Sequence, residues 1–232
     1  MQSVTLNVTL PSMGCRMLEH EFFPADGRKT RILDFDIENR PLSYWQPDRP
    51  TAQITAIASC WSDDLSSMQV LLLRSGDTED RERALLSLFC DRYKEADMVT
   101  GHYIRRHDLP IINGALYELG LPLLGSKLTC DTKLDMFKKA DVPATQEFLL
   151  ETLGVRDAYG RPIQKFHMSQ SDWREANRLT PEGVRKTAER VASDVFGHIA
   201  MREEMLRRGM LRPPSMWNPG GGFSEVSEGH HG

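Results

Sequence analysis

Residues 31–38 read Arg-Ile-Leu-Asp-Phe-Asp-Ile-Glu, an apolar strand pattern interrupted at every second position by an acid. Side chains of an extended strand alternate faces, so Leu33, Phe35 and Ile37 enter a core while Asp34, Asp36 and Glu38 share the opposite face. Such a segment fits a sheet with one apolar side and resists a helix. Three carboxylates this close oppose one another's ionisation, and they need solvent or a cation to be tolerated. The solvated face of an edge strand satisfies the pattern, and so does a site for a hard divalent ion. Acids elsewhere in the chain have to decide between them.

A chain of 232 residues with 40% hydrophobic and 27% charged residues is long enough for one main core of ordinary globular kind. No run approaches the ~18 apolar residues of a membrane span, and the N-terminus lacks a leader pattern, so a cytoplasmic protein without membrane association is expected. Cys15, Cys60, Cys90 and Cys130 stand singly, without zinc-like spacing, and read as small buried hydrophobes. The net charge of −4 offers no global attraction for a polyanion. Local basic groups exist at Arg105 and Arg106, at Lys133, Lys138 and Lys139, and at Arg185, Lys186 and Arg190, although each alone also reads as a solvated face.

The alternating Val4–Leu10 and the Pro- and Gly-punctuated residues after it suggest an appended arm over 1–30. Ala52–Trp61 and Met68–Arg74 suit strands separated by a turn, making a meander with the acidic strand. Thr78–Ala96 has amphipathic helix spacing, Asp97–Gly101 reads as a short buried strand, and Asp108–Leu119 as a helix stopped by Gly120 and Pro122. Lys127–Asp131 suits another strand. Helical segments follow near Thr132–Lys139, Thr145–Leu153 and Ser171–Asn177. The longest helix pattern is Pro181–Arg208, with Thr180 as N-cap and Pro181 at its first position. The Pro- and Gly-rich residues 212–232 read as a disordered tail. The pattern makes the fold class α/β: a mixed sheet flanked by helices, with one domain over 31–211.

Two further acids stand out. Asp108 falls in the turn launching a helix, where it would serve at least as a cap. Asp194 lies inside the long helix among the apolar Val191, Val195 and Ile199, a position disfavoured for an unpartnered acid. In order and context these residues resemble the DEDD, or DnaQ-like, 3'-5' exonucleases of the ribonuclease H-like fold. The family's Asp-x-Glu motif is matched by Asp36 and Glu38 within Phe-Asp-Ile-Glu. Its second motif is matched in outline by Gly101-His-Tyr-Ile-Arg-Arg-His-Asp-Leu-Pro, which supplies Asp108, and its third by Asp194-Val195. The segments beginning at Asp131 and at Phe148 resemble the family's linkers, so the likeness spans roughly residues 30–210.

The resemblance implies a five-stranded mixed sheet and a two-metal phosphodiester hydrolase acting on the 3' end of DNA, in proofreading or DNA processing, with RNA as another substrate and a DNA polymerase as a partner. Asp36, Glu38, Asp108 and Asp194 would be the catalytic and metal-ligating residues, holding two Mg2+ or Mn2+ ions about 4 Å apart. Asp36 would bridge both ions, Glu38 and Asp194 would hold the ion that activates water, and Asp108 would support the other. Ile37, His102, Tyr103 and Arg190 would contact substrate. Tyr44, Trp45, Trp61, Tyr103 and Trp173 are aromatics able to stack an unpaired 3' end.

Two departures bear on activity. The family's Asn and Phe in the second motif are replaced by His102 or Tyr103 and by His107. Arg190 stands where the family has the Tyr or His that orients water; an arginine stays protonated and cannot be a general base, although it can hold a phosphate or a carboxylate. His198, one turn beyond Asp194, reads as a surface histidine. The alternative is therefore a catalytically weakened nuclease fold that binds nucleic acid or serves a polymerase. Ribonuclease H-like cleavage within a duplex is a third reading, which explains the second motif less well.

Overall fold

The central strand β1 (Ile32–Arg40) is flanked on one side by an antiparallel meander and on the other by parallel strands. A computed structural model describes residues 27–40, 53–137 and 144–220. The expected strand at Val4–Leu10, the Tyr44 and Trp45 aromatics and Cys15 lie outside them. β2 (Gln53–Trp61) and β3 (Asp64–Leu72) form the meander, β4 (Met98–Gly101) and β5 (Lys127–Asp131) the parallel part, and β6 (Ser215–Trp217) adds antiparallel to β5. The six-stranded order is β3-β2-β1-β4-β5-β6. This mixed sheet flanked by helices is compatible with the ribonuclease H-like fold.

The pleat sorts β1 as its sequence requires. Leu33, Phe35 and Ile37 enter a core with Leu85, Leu86 and Phe89 of α1 (Glu79–Glu95) and Leu109, Ile112 and Leu116 of α2 (Asp108–Glu118). The other face receives α5 (Pro181–Arg207), whose Val191, Val195 and Ile199 pack on Ala56, Ala58 and Cys60 of β2. Methyl-sized residues on β2 let the long helix approach closely. Thr180 caps α5 by accepting from Gly183 N, as its sequence predicts. α3 (Gln146–Thr152) and α4 (Gln170–Asn177) pack against α5.

Three expectations need correction. Residues 132–137 form turns instead of a helix, because the Asp131 carboxylate accepts the N–H groups of Lys133 and Leu134 and Met136 bridges to Leu211. The hairpin turn is shorter than expected: β3 starts at Asp64, whose Oδ1 accepts from Ser66 N and Oγ. The ordered fold also continues past residue 211, since β6 covers the open edge of β5 and makes a sixth strand where five were expected. Cys60, Cys90 and Cys130 are buried free thiols, and burial pushes Cys60 up to about 12. Among the described residues no helix is long and apolar enough to cross a membrane.

Candidate metal centre

The carboxyl ends of parallel strands are where open α/β sheets leave room for ligands, and β1 and β4 end unequally here. β4 pairs with β1 only as far as Asp34↔Thr100, so Asp36 and Glu38 project beyond it. Gly101 permits this departure: a Cβ there would lie 2.8 Å from the Phe35 carbonyl oxygen and 2.3 Å from Ile104 Cγ2. On the other side Asp36 and Glu38 stand opposite Ala58 and Ala56, whose methyl groups donate nothing. The gap left by β4 is filled by Asp108 at the start of α2, which is buried and whose Oδ1 accepts Ile37 N–H at 3.1 Å.

The acidic stripe of β1 faces a stripe of α5 with nearly the same pitch. Two residues along a strand advance about 6.6 Å and four along a helix about 6 Å, so Glu38, Asp36 and Asp34 run alongside Arg190, Asp194, His198 and Arg202. At the inner end Asp34 is fully buried and accepts from Arg202 at 3.1 Å, bonds His198 Nδ1 at 2.9 Å, and accepts a short bond from Ser62 Oγ. This corrects the surface reading of His198, which is buried. It also removes Asp34 from the acids that need a metal, because Arg202 neutralises it inside the protein. At the outer end Arg190 Nε lies 3.5 Å from Glu38 Oε1. Only in the middle does acid meet acid: ligand atoms of Asp36, Glu38 and Asp194 all lie within 4.8 Å of one another.

Burial sets the electrostatics of this middle. It holds Asp36 well above the ordinary carboxylate range, reinforced by Asp108, Asp194 and Glu38. Glu38 is pushed up to about 7, by burial first, with Arg190 pulling in the opposite direction. Asp194 is raised by burial too, against the opposing pull of Lys165 and Arg190. Both cations touch it: Lys165 Nζ is 3.2 Å and Arg190 Nε 2.9 Å from Asp194 Oδ2. Its other oxygen, Oδ1, is buried without a hydrogen-bond partner among the described residues, while Gln146 holds the backbone by donating to Asp194 O at 2.7 Å. Oxygens around one hard divalent ion stand no more than about 4 to 5 Å apart. The triad and the unpartnered Oδ1 therefore fit a divalent metal ion.

The expected substrate contacts divide. Arg190 reaches the cluster, its NH1 donating to Phe166 O and its guanidinium 5.9 Å from the Trp173 ring centroid. Tyr103 lies beside the second motif in the left-handed region, at φ 75, a conformation a bulky residue adopts only when held. Asp131 Oδ1 holds it by accepting Tyr103 N–H at 3.0 Å, and Lys133 Nζ sits 4.0 Å from its ring centroid. Ile37 is corrected: its side chain is in the core, because odd positions of β1 face α1 and α2, and only its backbone meets Asp108. His102 is corrected as well. Its Nε2 bonds the Ala144 carbonyl at 2.9 Å, so that nitrogen carries the proton, and Nδ1 accepts from Thr132 Oγ1 at 3.0 Å. Burial lowers His102 to about 4, which leaves it neutral and committed within the protein. Sequence reasoning missed Lys165, which lies in irregular chain with no periodicity to mark it, and Arg202, which continues the four-residue spacing of Arg190, Asp194 and His198.

No family model and no curated protein matches the chain. Among solved structures it resembles a family B DNA polymerase from the hyperthermophilic archaeon Pyrobaculum calidifontis, at a TM-score of 0.52 and 21% sequence identity. The likeness covers 78% of this chain and 25% of the polymerase, so the chain spans about a quarter of that protein's length. At this identity the likeness concerns the fold.

Proposed function

We propose that this chain is a metal-dependent 3'-5' exonuclease domain hydrolysing phosphodiester bonds at the 3' end of single-stranded or frayed DNA. One observation carries the reading: Asp36, Glu38 and Asp194, from a strand and a helix far apart in sequence, bring ligand atoms within 4.8 Å of one another in a buried setting that penalises their charge. Asp108, tied to the same strand through Ile37 N–H, would be the fourth acid. Mg2+ or Mn2+ ions held by these carboxylates would supply a hydroxide at neutral pH and charge stabilisation for the leaving 3'-oxygen. Asp36, Glu38 and Asp194 would hold the ion that supplies the hydroxide, and Asp36 with Asp108 would hold the other.

The chain's own contribution is orientation and charge. Arg190 aligns Glu38 and Asp194 and offers the remaining face of its guanidinium to a phosphate; it removes no proton. General-base catalysis contributes about 10²- to 10⁴-fold, so an enzyme lacking that group is slow but still far above the uncatalysed rate. The likeness of fold to a DNA polymerase supports a nucleic-acid substrate and work beside DNA synthesis, in proofreading or end processing.

A second reading has its own observation. Lys165 and Arg190 already neutralise Asp194, as the cations of a nuclease fold reduced to nucleic-acid binding would. The two separate on one assay: release of mononucleotides from a 3'-labelled oligonucleotide in Mn2+, with Asp36→Ala as control. Release above that control supports the enzyme; equal backgrounds overturn it and leave the binding module.

A further inference from the structure

Lys165 and Arg190, which both touch Asp194, also line a cavity of about 340 Å³. Its walls include Phe166 and Trp173, the exposed His167 and Glu147, and Gln146 at the start of α3. The two cations are thus shared between Asp194 and the cavity wall. A lysine ammonium has three N–H donors and an arginine guanidinium five. Asp194 takes a donor from each and the Phe166 carbonyl takes Arg190 NH1, so Lys165 hydrogens and Arg190 NH2 remain for an anion in the cavity.

The chemistry of the walls selects the ligand. Two cations in the wall, against the one solvated carboxylate of Glu147, call for a phosphate. Half-buried Trp173 and Phe166 supply aromatic surface in the same wall, the chemistry against which a planar heterocycle stacks. The guanidinium of Arg190, 5.9 Å from the Trp173 centroid, links the two subsites. An inorganic anion would leave the aromatic wall unused, and an apolar ligand would desolvate Lys165 and Arg190 without compensation. The geometry points to a nucleotide site: this cavity holds a nucleoside 5'-monophosphate, its phosphate on Lys165 and Arg190 and its base against Trp173. The site adjoins the acids but does not need them to be catalytic. It would retain a released nucleotide or accept a free one.

The test is equilibrium binding of dAMP to the full chain in EDTA, read by calorimetry and by quenching of tryptophan fluorescence. Inorganic phosphate and deoxyadenosine are titrated separately. The expected result is saturable dAMP binding, at least tenfold tighter than either fragment, with quenching that disappears in Trp173→Phe. Trp173→Ala weakens binding about tenfold or more, and Lys165→Met does the same by removing the phosphate contact. Circular dichroism and the unfolding midpoint establish that each variant is folded. Asp36→Ala retains binding, so a protein that binds dAMP yet releases no mononucleotide from DNA keeps this inference and loses the enzymatic one. Absence of dAMP binding to wild-type protein at millimolar ligand overturns the inference, as does binding unchanged in both folded Trp173→Ala and Lys165→Met.

Discussion

Replacing Glu38 by Gln should stabilise the metal-free protein at about pH 8 and change it little at about pH 5. In the fold Glu38 is raised from 4.5 to about 7, chiefly by burial. Its side chain is only 15% exposed, so solvent screens little of the effect. A displacement from 4.5 to about 7 corresponds, at about 1.36 kcal/mol per pH unit, to about 3 kcal/mol. The sign follows from proton uptake. With the folded-state value above the unfolded one, the native protein binds the extra proton. Stability is therefore highest below 4.5, falls as pH rises, and bears the full penalty above about 7. Glutamine does not titrate. The free energy of urea unfolding in EDTA, variant minus wild type, should grow by roughly 2 to 3 kcal/mol between about pH 5 and about pH 8. Adding Mn2+ at the higher pH should stabilise wild type more than Glu38→Gln, because binding to the native state adds stability in proportion to affinity. A difference between the two proteins that stays flat across this range would refute the claim that burial burdens this carboxylate.

Arg202→Met strips the buried Asp34 of its cation and should cost about 3 to 5 kcal/mol in chemical denaturation, with most of that loss recovered in the Asp34→Asn/Arg202→Met double variant. Gly183→Ala would set a Cβ 2.2 Å from the backbone carbonyl of Glu175, forcing α4 off α5. We expect a loss of about 1 to 3 kcal/mol and a lowered thermal midpoint by calorimetry. Truncation after Arg212 removes β6, including the Ser215 carbonyl that accepts from Thr129 Oγ1 at 2.8 Å. Hydrogen exchange should then accelerate at Lys127–Thr129 while the amides of β1 and β2 stay protected.

Much of the scaffold is legible along the chain because its signals are local. The alternation in β1, the Thr180-Pro181 start of α5 and the Gly120 stop after α2 each act within a few residues, and these elements form where their spacing places them. Local signals fail where a distant group competes. Residues 132–137 have helical composition, but the Asp131 carboxylate captures their amides and bends them into turns. Ser215–Trp217 lies in a Pro-flanked segment with weak strand character and is a strand because β5 offers an unpaired edge.

The same division runs through the acids. That Asp34, Asp36 and Glu38 share one face follows from the two-residue period of a strand, and that Asp194 needs a partner follows from its apolar neighbours. Which of them needs an ion does not follow, because the answer depends on what stands opposite. Asp34 meets Arg202 and is neutralised, whereas Asp36 meets Asp194 and is not. Lys165 arrives from irregular chain to share Asp194, and no periodicity announces it. Sequence alone determines which side chains leave the strand and helix on the buried faces, since that is backbone geometry. Only the packing of α5 across β1 decides which charges are paired and which are left facing each other, because Coulomb energy depends on distances that chain order does not set.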